Sequence, residues 1–199
     1  VAAEITEALP DAAGGAPPFT HVFLQGGVGG LAAGVASYFW ERFGPLRPTV
    51  VIVEPRQADC LYQSAVQGRA ARATGSVDSV MAGLACGETS PLAWQFLGPG
   101  ADFFMTIEDD AAVHAMQVLA NPKDDIPVVS GESGAAGLAG LIALSRHREQ
   151  FESVGLGGDA RVLLISTEGA TAPSVYERLV NESPQDVLAR QRDWSSQKV

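Results

Sequence analysis

One stretch constrains the fold more than any other, the seventeen residues from Thr20 to Ala36, Thr20-His-Val-Phe-Leu-Gln-Gly-Gly-Val-Gly-Gly-Leu-Ala-Ala-Gly-Val-Ala36. His21 to Gln25 reads as a short buried strand. Four glycines follow within five positions (Gly26, Gly27, Gly29, Gly30), and an apolar run of helical length begins at Leu31. Glycines at such a junction permit positive φ and let the backbone approach a ligand closely. The unpaired N–H groups and positive dipole end of the helix then point at that ligand. A strand that ends in glycines and opens into a helix is therefore suited to an anion, above all a phosphate. A tight turn with no ligand is the alternative, although four glycines exceed what a bare turn needs.

The rest of the chain repeats this rhythm. Thr49 to Glu54 is a continuous β-branched run closed by Pro55, the pattern of a strand buried on both faces of a parallel sheet. Asp102–Ile107 and Arg161–Ser166 read as two further strands. Helices are expected over 2–9 (ended by Pro10), from Leu31 to about Phe43, over Ala58–Gln67 and from Pro91 with Ser90 as N-cap. Others are expected over Glu108–Ala120, from the glycine-rich run at Ser130 to about Gln150, over Pro173–Val180 and over Pro184–Trp194. Gly68 to Cys86 is poorly periodic. Alternating strands and helices imply an α/β fold, a three-layer arrangement with a mostly parallel sheet and helices on both faces. Right-handed crossovers would then gather the glycine loops along one edge of that sheet. The expected organisation is a helix and linker over 1–18, an α/β domain over 19–194 and a tail over 195–199.

Composition narrows the partners. The formal net charge is −10, and no Lys/Arg cluster reaches the density that a nucleic-acid groove needs. No apolar run is long enough to span a membrane as a helix, and the first residues lack the pattern of a signal peptide. Cytoplasm is the expected location. Two cysteines, Cys60 and Cys86, make no disulfide framework, and sequence alone cannot place them within bonding distance of each other. His21, His114 and His147 have no metal-ligand spacing, so no metal is expected.

Two phosphate ligands compete for the glycine loop. Gly27-x-Gly29-x-x-Ala32 fits a dinucleotide fingerprint, and Glu54 ends the next strand near the distance at which an acid grips the adenosine ribose. Six motifs in order point elsewhere: Gln25 to Ala33, Ile52 to Pro55, Ala58 to Tyr62, Met81 to Glu88, Ser130 to Ala135 and Ile165 to Gly169. Together, from about residue 19 to 171, they resemble the C-terminal half of the diaminopropionate ammonia-lyases. These belong to the fold type II pyridoxal-phosphate enzymes typified by the tryptophan synthase β chain and threonine deaminase.

The resemblance implies roles for particular residues. Gly26, Gly27, Val28, Gly29 and Gly30 would hold the phosphate of pyridoxal 5'-phosphate through backbone N–H groups. Ser166 would meet the pyridine nitrogen, where a neutral hydroxyl makes the cofactor a milder electron sink suited to β-elimination. The alternative for Ser166 is a helix N-cap after a strand, and Thr167 is a weaker candidate for the same contact. Glu132 would orient the ring or a nearby amide, or cap its own helix, and Glu88 is ambiguous in the same way.

The family's Schiff-base lysine has no counterpart in its usual setting, because Lys123 follows Asn121-Pro122 in a polar turn and Lys198 is next to the end. The expectation is a C-terminal piece of an enzyme that eliminates ammonia from 2,3-diaminopropionate to give pyruvate, with lysine and acid supplied from upstream polypeptide. Alone it would be inactive. An unpaired sheet edge would make it need its missing half or a second copy, as in a homodimer. A dinucleotide-binding domain and a non-catalytic phosphate-binding remnant stand as the alternatives.

Overall fold

β-branched and aromatic residues dominate four short runs, and in the computed structural model, which describes residues 1–9 and 12–197, these form one sheet. Strand β1 (His21–Gln25) lies at its centre beside β2 (Thr49–Pro55), with β3 (Phe103–Ile107) and β4 (Val162–Leu164) at the edges in the order β3-β2-β1-β4. All three pairings are parallel, so the four C-terminal ends share one edge. His21 to Gln25 pair with Thr49 to Val53, and His21, Val22 and Phe23 pair with Val162, Leu163 and Leu164.

Because strand side chains alternate in direction, the central strands feed two cores. Val22, Leu24, Val50 and Ile52 face one layer, which holds α1 (Ala2–Ala8), α2 (Gly30–Phe43), α3 (Cys60–Gln67) and α4 (Pro91–Gly100). Phe23, Val51 and Val53 face the other, with α5 (Asp109–Ala120), α6 (Ala136–Ser145), α7 (Arg148–Ser153), α8 (Pro173–Val180) and α9 (Pro184–Gln197). Phe39 of α2 is fully buried against Phe19 and Phe43, a burial that stabilises by about 2–3 kcal/mol. The expected three-layer α/β architecture is therefore present.

Local boundaries differ from expectation for identifiable reasons. The helix expected to follow the glycine-rich entry at Ser130 and reach about Gln150 is two helices. A turn leads in to Ala136, and the chain leaves helix geometry again at His147. Ser145 Oγ donates to Ile142 O at 2.7 Å there, and the Arg146 and His147 N–H groups tighten onto carbonyls three residues back. Strand β4 covers only Val162–Leu164 of the expected Arg161–Ser166, since β1 is its single ladder partner. A short 3₁₀ turn, Arg56–Ala58, precedes α3, which starts at Cys60 rather than Ala58.

At the C-terminus, α9 runs past Trp194 to Gln197, so the expected tail is partly helical. Ser195 and Ser196 hydroxyls donate to the carbonyls of Gln191 and Arg192 within it. Pro10, expected to end α1, and Lys198 lie outside the described residues. Ser90 does cap α4, its Oγ accepting from the Ala93 N–H at 3.3 Å with Pro91 at the first helical position. Among the described residues, no helix is long and apolar enough to cross a membrane.

Candidate binding site at the strand ends

The loop from β1 to α2 turns through positive φ at Gly27 (59°) and Gly29 (100°), which side chains rarely adopt. Two of its glycines are also required by close packing. A Cβ on Gly26 would fall 2.4 Å from Glu54 Cγ, and one on Gly29 would fall 2.9 Å from Ala93 Cβ. Gly30 differs, because nothing lies within 4 Å of a Cβ there.

Where each backbone N–H of the loop goes decides which are free for a ligand. Gly26 donates to Val53 O at 2.9 Å, extending the sheet. Gly29 donates to Gly26 O at 3.1 Å, closing the turn, and the Val28 N–H points at the Cys86 thiol. Only Gly27 and Gly30 of the five expected phosphate ligands keep an N–H without an acceptor. Leu31 and Ala32, which were not among the expected phosphate ligands, join them as the first-turn donors of α2. The free donors thus sit about two residues later than expected.

Gly27, Gly30 and Leu31 border a cleft of about 430 Å³ between the strand ends, lined by loop residues 25–28, 30 and 31 together with Gly83, Leu84, Cys86, Ser133, Thr167 and Glu168. On the far wall, Ser133 Oγ accepts the Gly83 N–H at 3.0 Å, and the Ser133 N–H donates to Glu168 Oε2 at 3.0 Å. Gln25 closes the floor. Its Nε2 donates to Ile165 O at 2.6 Å and Gly134 O at 3.2 Å, while its buried Oε1 meets no donor. Gln25, Ser133 and Glu168 were not picked out in the sequence. A polar residue ending an otherwise apolar strand was the available signal for Gln25.

The other sequence candidates fall in different places. Thr167 lines the cleft. Ser166 is exposed and not in that lining; its hydroxyl donates to Ser130 Oγ at 2.9 Å, and no helix starts at it to be capped. Glu132 is half-buried in the second glycine-rich turn, also outside the lining. Glu88 is exposed and forms an ion pair with Arg72, an arrangement of loop strands away from the cleft.

Glu54 has left the surface altogether. It is 1% exposed, and its carboxylate accepts the Leu61 N–H (3.0 Å) and Tyr62 N–H (2.8 Å), capping α3 from a neighbouring strand. Burial pushes its pKa up to about 7 against those bonds. A carboxylate so occupied cannot grip a ribose, which removes the acid that the dinucleotide alternative needs.

The Cys60 thiol has two acceptors in reach of its single hydrogen, Gly27 O at 3.4 Å and Glu54 Oε1 at 3.6 Å, and burial pushes its pKa up to about 12. Both cysteines are free thiols. His21 is bonded to Thr20 and Val154 O at the start of β1, opposite the cleft. No group of three or more potential metal-ligating side chains occurs among the described residues. Lys123 is exposed beyond the C-terminus of α5, which carries the chain from the cleft edge of the sheet to the other.

The site fits a phosphorylated ligand on its own geometry: unpaired donors at a helix start, a positive-φ cradle and open space at Gly30. Comparison with known proteins agrees. The chain is 44% identical over 167 residues to diaminopropionate ammonia-lyase of Escherichia coli K12, covering 82% of this chain and 42% of that protein. The crystal structure of the holo E. coli enzyme superposes with a TM-score of 0.75 at 43% identity, covering 81% of this chain and 41% of that one. The processed form of threonine deaminase isoform 2 from Solanum lycopersicum shares the fold at 21% identity and a TM-score of 0.71, over 90% of this chain and 44% of that one. The chain thus spans about two fifths of the length of the curated relatives it matches. The family model described as pyridoxal-phosphate dependent enzyme matches residues 1–168, and the chain belongs to that family.

Proposed function

We propose that this chain forms the phosphate-binding wall of a pyridoxal 5'-phosphate site in an enzyme that removes ammonia from 2,3-diaminopropionate by α,β-elimination, leaving pyruvate. The observation that carries this reading is the set of unpaired N–H groups at Gly27, Gly30 and Leu31, which line a cleft between parallel strand ends, with that of Ala32 next in α2. Those four would hold the phosphate. Ser133 and Thr167 supply hydroxyls on the opposite wall, and Ser166, one residue before Thr167, is the group proposed for the pyridine nitrogen. The cofactor, when bound, supplies the electron sink that labilises the bond at the amino acid's α-carbon. The chain's own part is to bind and orient: helix α2 directs its dipole at the phosphate, and Glu54 and Glu168 hold the two turns on either side.

The Schiff-base lysine is assigned to a partner polypeptide, because the only lysine among the described residues, Lys123, sits at the opposite edge of the sheet. That partner is the remainder of the enzyme, in a homodimeric assembly in the cytoplasm, and the chain alone has no elimination activity. Adding an N-terminal half from a diaminopropionate ammonia-lyase should generate a cofactor absorption band that borohydride bleaches. The direct test on the 199-residue chain uses 4'-deoxypyridoxine 5'-phosphate, which lacks the aldehyde and needs no lysine. It should bind in competition with inorganic phosphate, and Gly30→Asp, placing a carboxylate in open space beside the free N–H groups, should abolish both without changing thermal stability. Unaltered binding in that variant would end the proposal.

A further inference from the structure

Strand β4 stops at Leu164, so the ladder with β1 ends at the Phe23–Leu164 pair. β1 itself continues for two residues, and its last, Gln25, immediately precedes the glycine loop. Beyond the ladder, the segment carrying Ser166, Thr167 and Glu168 has no strand hydrogen bond to hold it against β1. The Gln25 carboxamide takes over. One Nε2 hydrogen goes to Ile165 O, the carbonyl just before Ser166, at 2.6 Å. Another goes to Gly134 O in the turn that carries Ser133, at 3.2 Å. The side chain is 2% exposed and lines the cleft. One buried amide therefore joins three loops at the base of the site, and it keeps an unpaired buried acceptor, Oε1, which costs about 1–3 kcal/mol when left so. An arrangement that carries such a cost serves position better than stability.

We infer that Gln25 is a positioning residue that sets the gap between the phosphate-holding loop and the Ser166–Glu168 segment, and so the length of ligand the cleft accepts. This rests on the pyridoxal-phosphate reading above. Inorganic phosphate needs the glycine loop alone, whereas the ring-bearing ligand needs both walls at the right separation. The two ligands should therefore respond differently to loss of the amide.

The test compares the wild-type chain with Gln25→Met, which keeps the length but cannot donate, by calorimetric titration with inorganic phosphate and with 4'-deoxypyridoxine 5'-phosphate. The expected result is an unchanged phosphate affinity and a loss of roughly 10-fold for the ring-bearing ligand, the size of one hydrogen bond. Amide hydrogen exchange at Ser166 to Glu168 in the ligand-free variant should also quicken, with exchange in β1 and β2 unaltered. Equal loss of both ligands, or loss of neither, overturns the positioning role while leaving the cofactor reading intact. Failure of the wild-type chain to bind either ligand overturns that reading, and the inference with it. If Gln25→Met does not fold, Gln25→Leu serves the same comparison, since it likewise cannot donate to the two carbonyls.

Discussion

Two glycine-rich turns face each other across the cleft, and both rest on a glutamate. Gly26 packs on the Cγ of Glu54, and Gly131 packs on the Cγ of Glu168, where a Cβ would stand 2.8 Å away. In sequence they look like repeats of one device, glycines leading into an apolar helix. Their packing separates them. In the second turn a Cβ on Gly131 or Gly134 would fall within 3 Å of the Glu168–Gly169 backbone; the N–H groups of Gly131, Ser133, Ala135 and Ala136 are taken, and those of Glu132 and Gly134 meet no acceptor. In the first turn the N–H groups of Gly27 and Gly30 remain unpaired at the start of α2. The second turn uses its glycines to fit backbone against backbone; the first leaves Gly30 in open space beside the cleft. Glycine content alone does not mark a binding loop; unpaired donors count where the packing leaves room beside them.

This contrast can be broken by substitution. The largest effect is expected at the packed turn: Gly131→Ala would drive a Cβ to 2.5 Å from Gly169 O, and destabilisation of about 3 kcal/mol should follow. Urea denaturation checks it, and a change under 1 kcal/mol would show that the second turn has slack.

An effect of similar size should appear with pH beneath the first turn. Glu54 has its folded pKa raised to about 7 by burial. It holds its proton in the folded chain over a range where the unfolded chain has lost it, so stability is fully present below the ordinary carboxylate value of 4.5 and is lost as pH rises through about 7. The loss amounts to about 3 kcal/mol. Asp59 and Asp102 act in the opposite direction: their folded pKa values are lowered, although burial, the largest influence on each, works against this. For Asp59 the backbone N–H of Thr74 and the Gln63 amide outweigh burial, and for Asp102 the Arg47 guanidinium does. Their contribution is lost as pH falls. Glu54→Gln should flatten the alkaline limb between pH 5 and 8 in denaturation midpoints and leave the acid limb in place.

The smallest effect on stability belongs to Gly30→Ala, expected within about 0.5 kcal/mol because its Cβ meets open space and alanine favours a helix start. Phosphate titration of that variant should nevertheless show weakened binding, the reverse of the pattern at Gly131.

Much of this was legible in the residues. The β-branched run from Thr49, the apolar strand from His21 and the Ser90-Pro91 start of α4 are local signals, and local geometry followed them. The helix expected to run on to Gln150 broke near His147 because the polar stretch Arg146 to Gln150 is made of ordinary helix formers and carries no local mark of where the chain must turn back. Glu54 looked like a ligand by spacing and proved to be a buried cap, since spacing is silent about which way a strand's last side chain points.

By itself the sequence determined the α/β order, the parallel sheet and the glycine turn at its C-terminal edge, because periodicity of two and of 3.6 residues and glycine's freedom in φ act over a few neighbours. The tertiary structure decided which amides were left unpaired, that Gln25 reaches Ile165, and that Glu168 and Glu54 lie under facing turns. Those outcomes depend on contacts between residues far apart in sequence, 140 positions for Gln25 and Ile165, and such distances are set only when the layers close on the sheet.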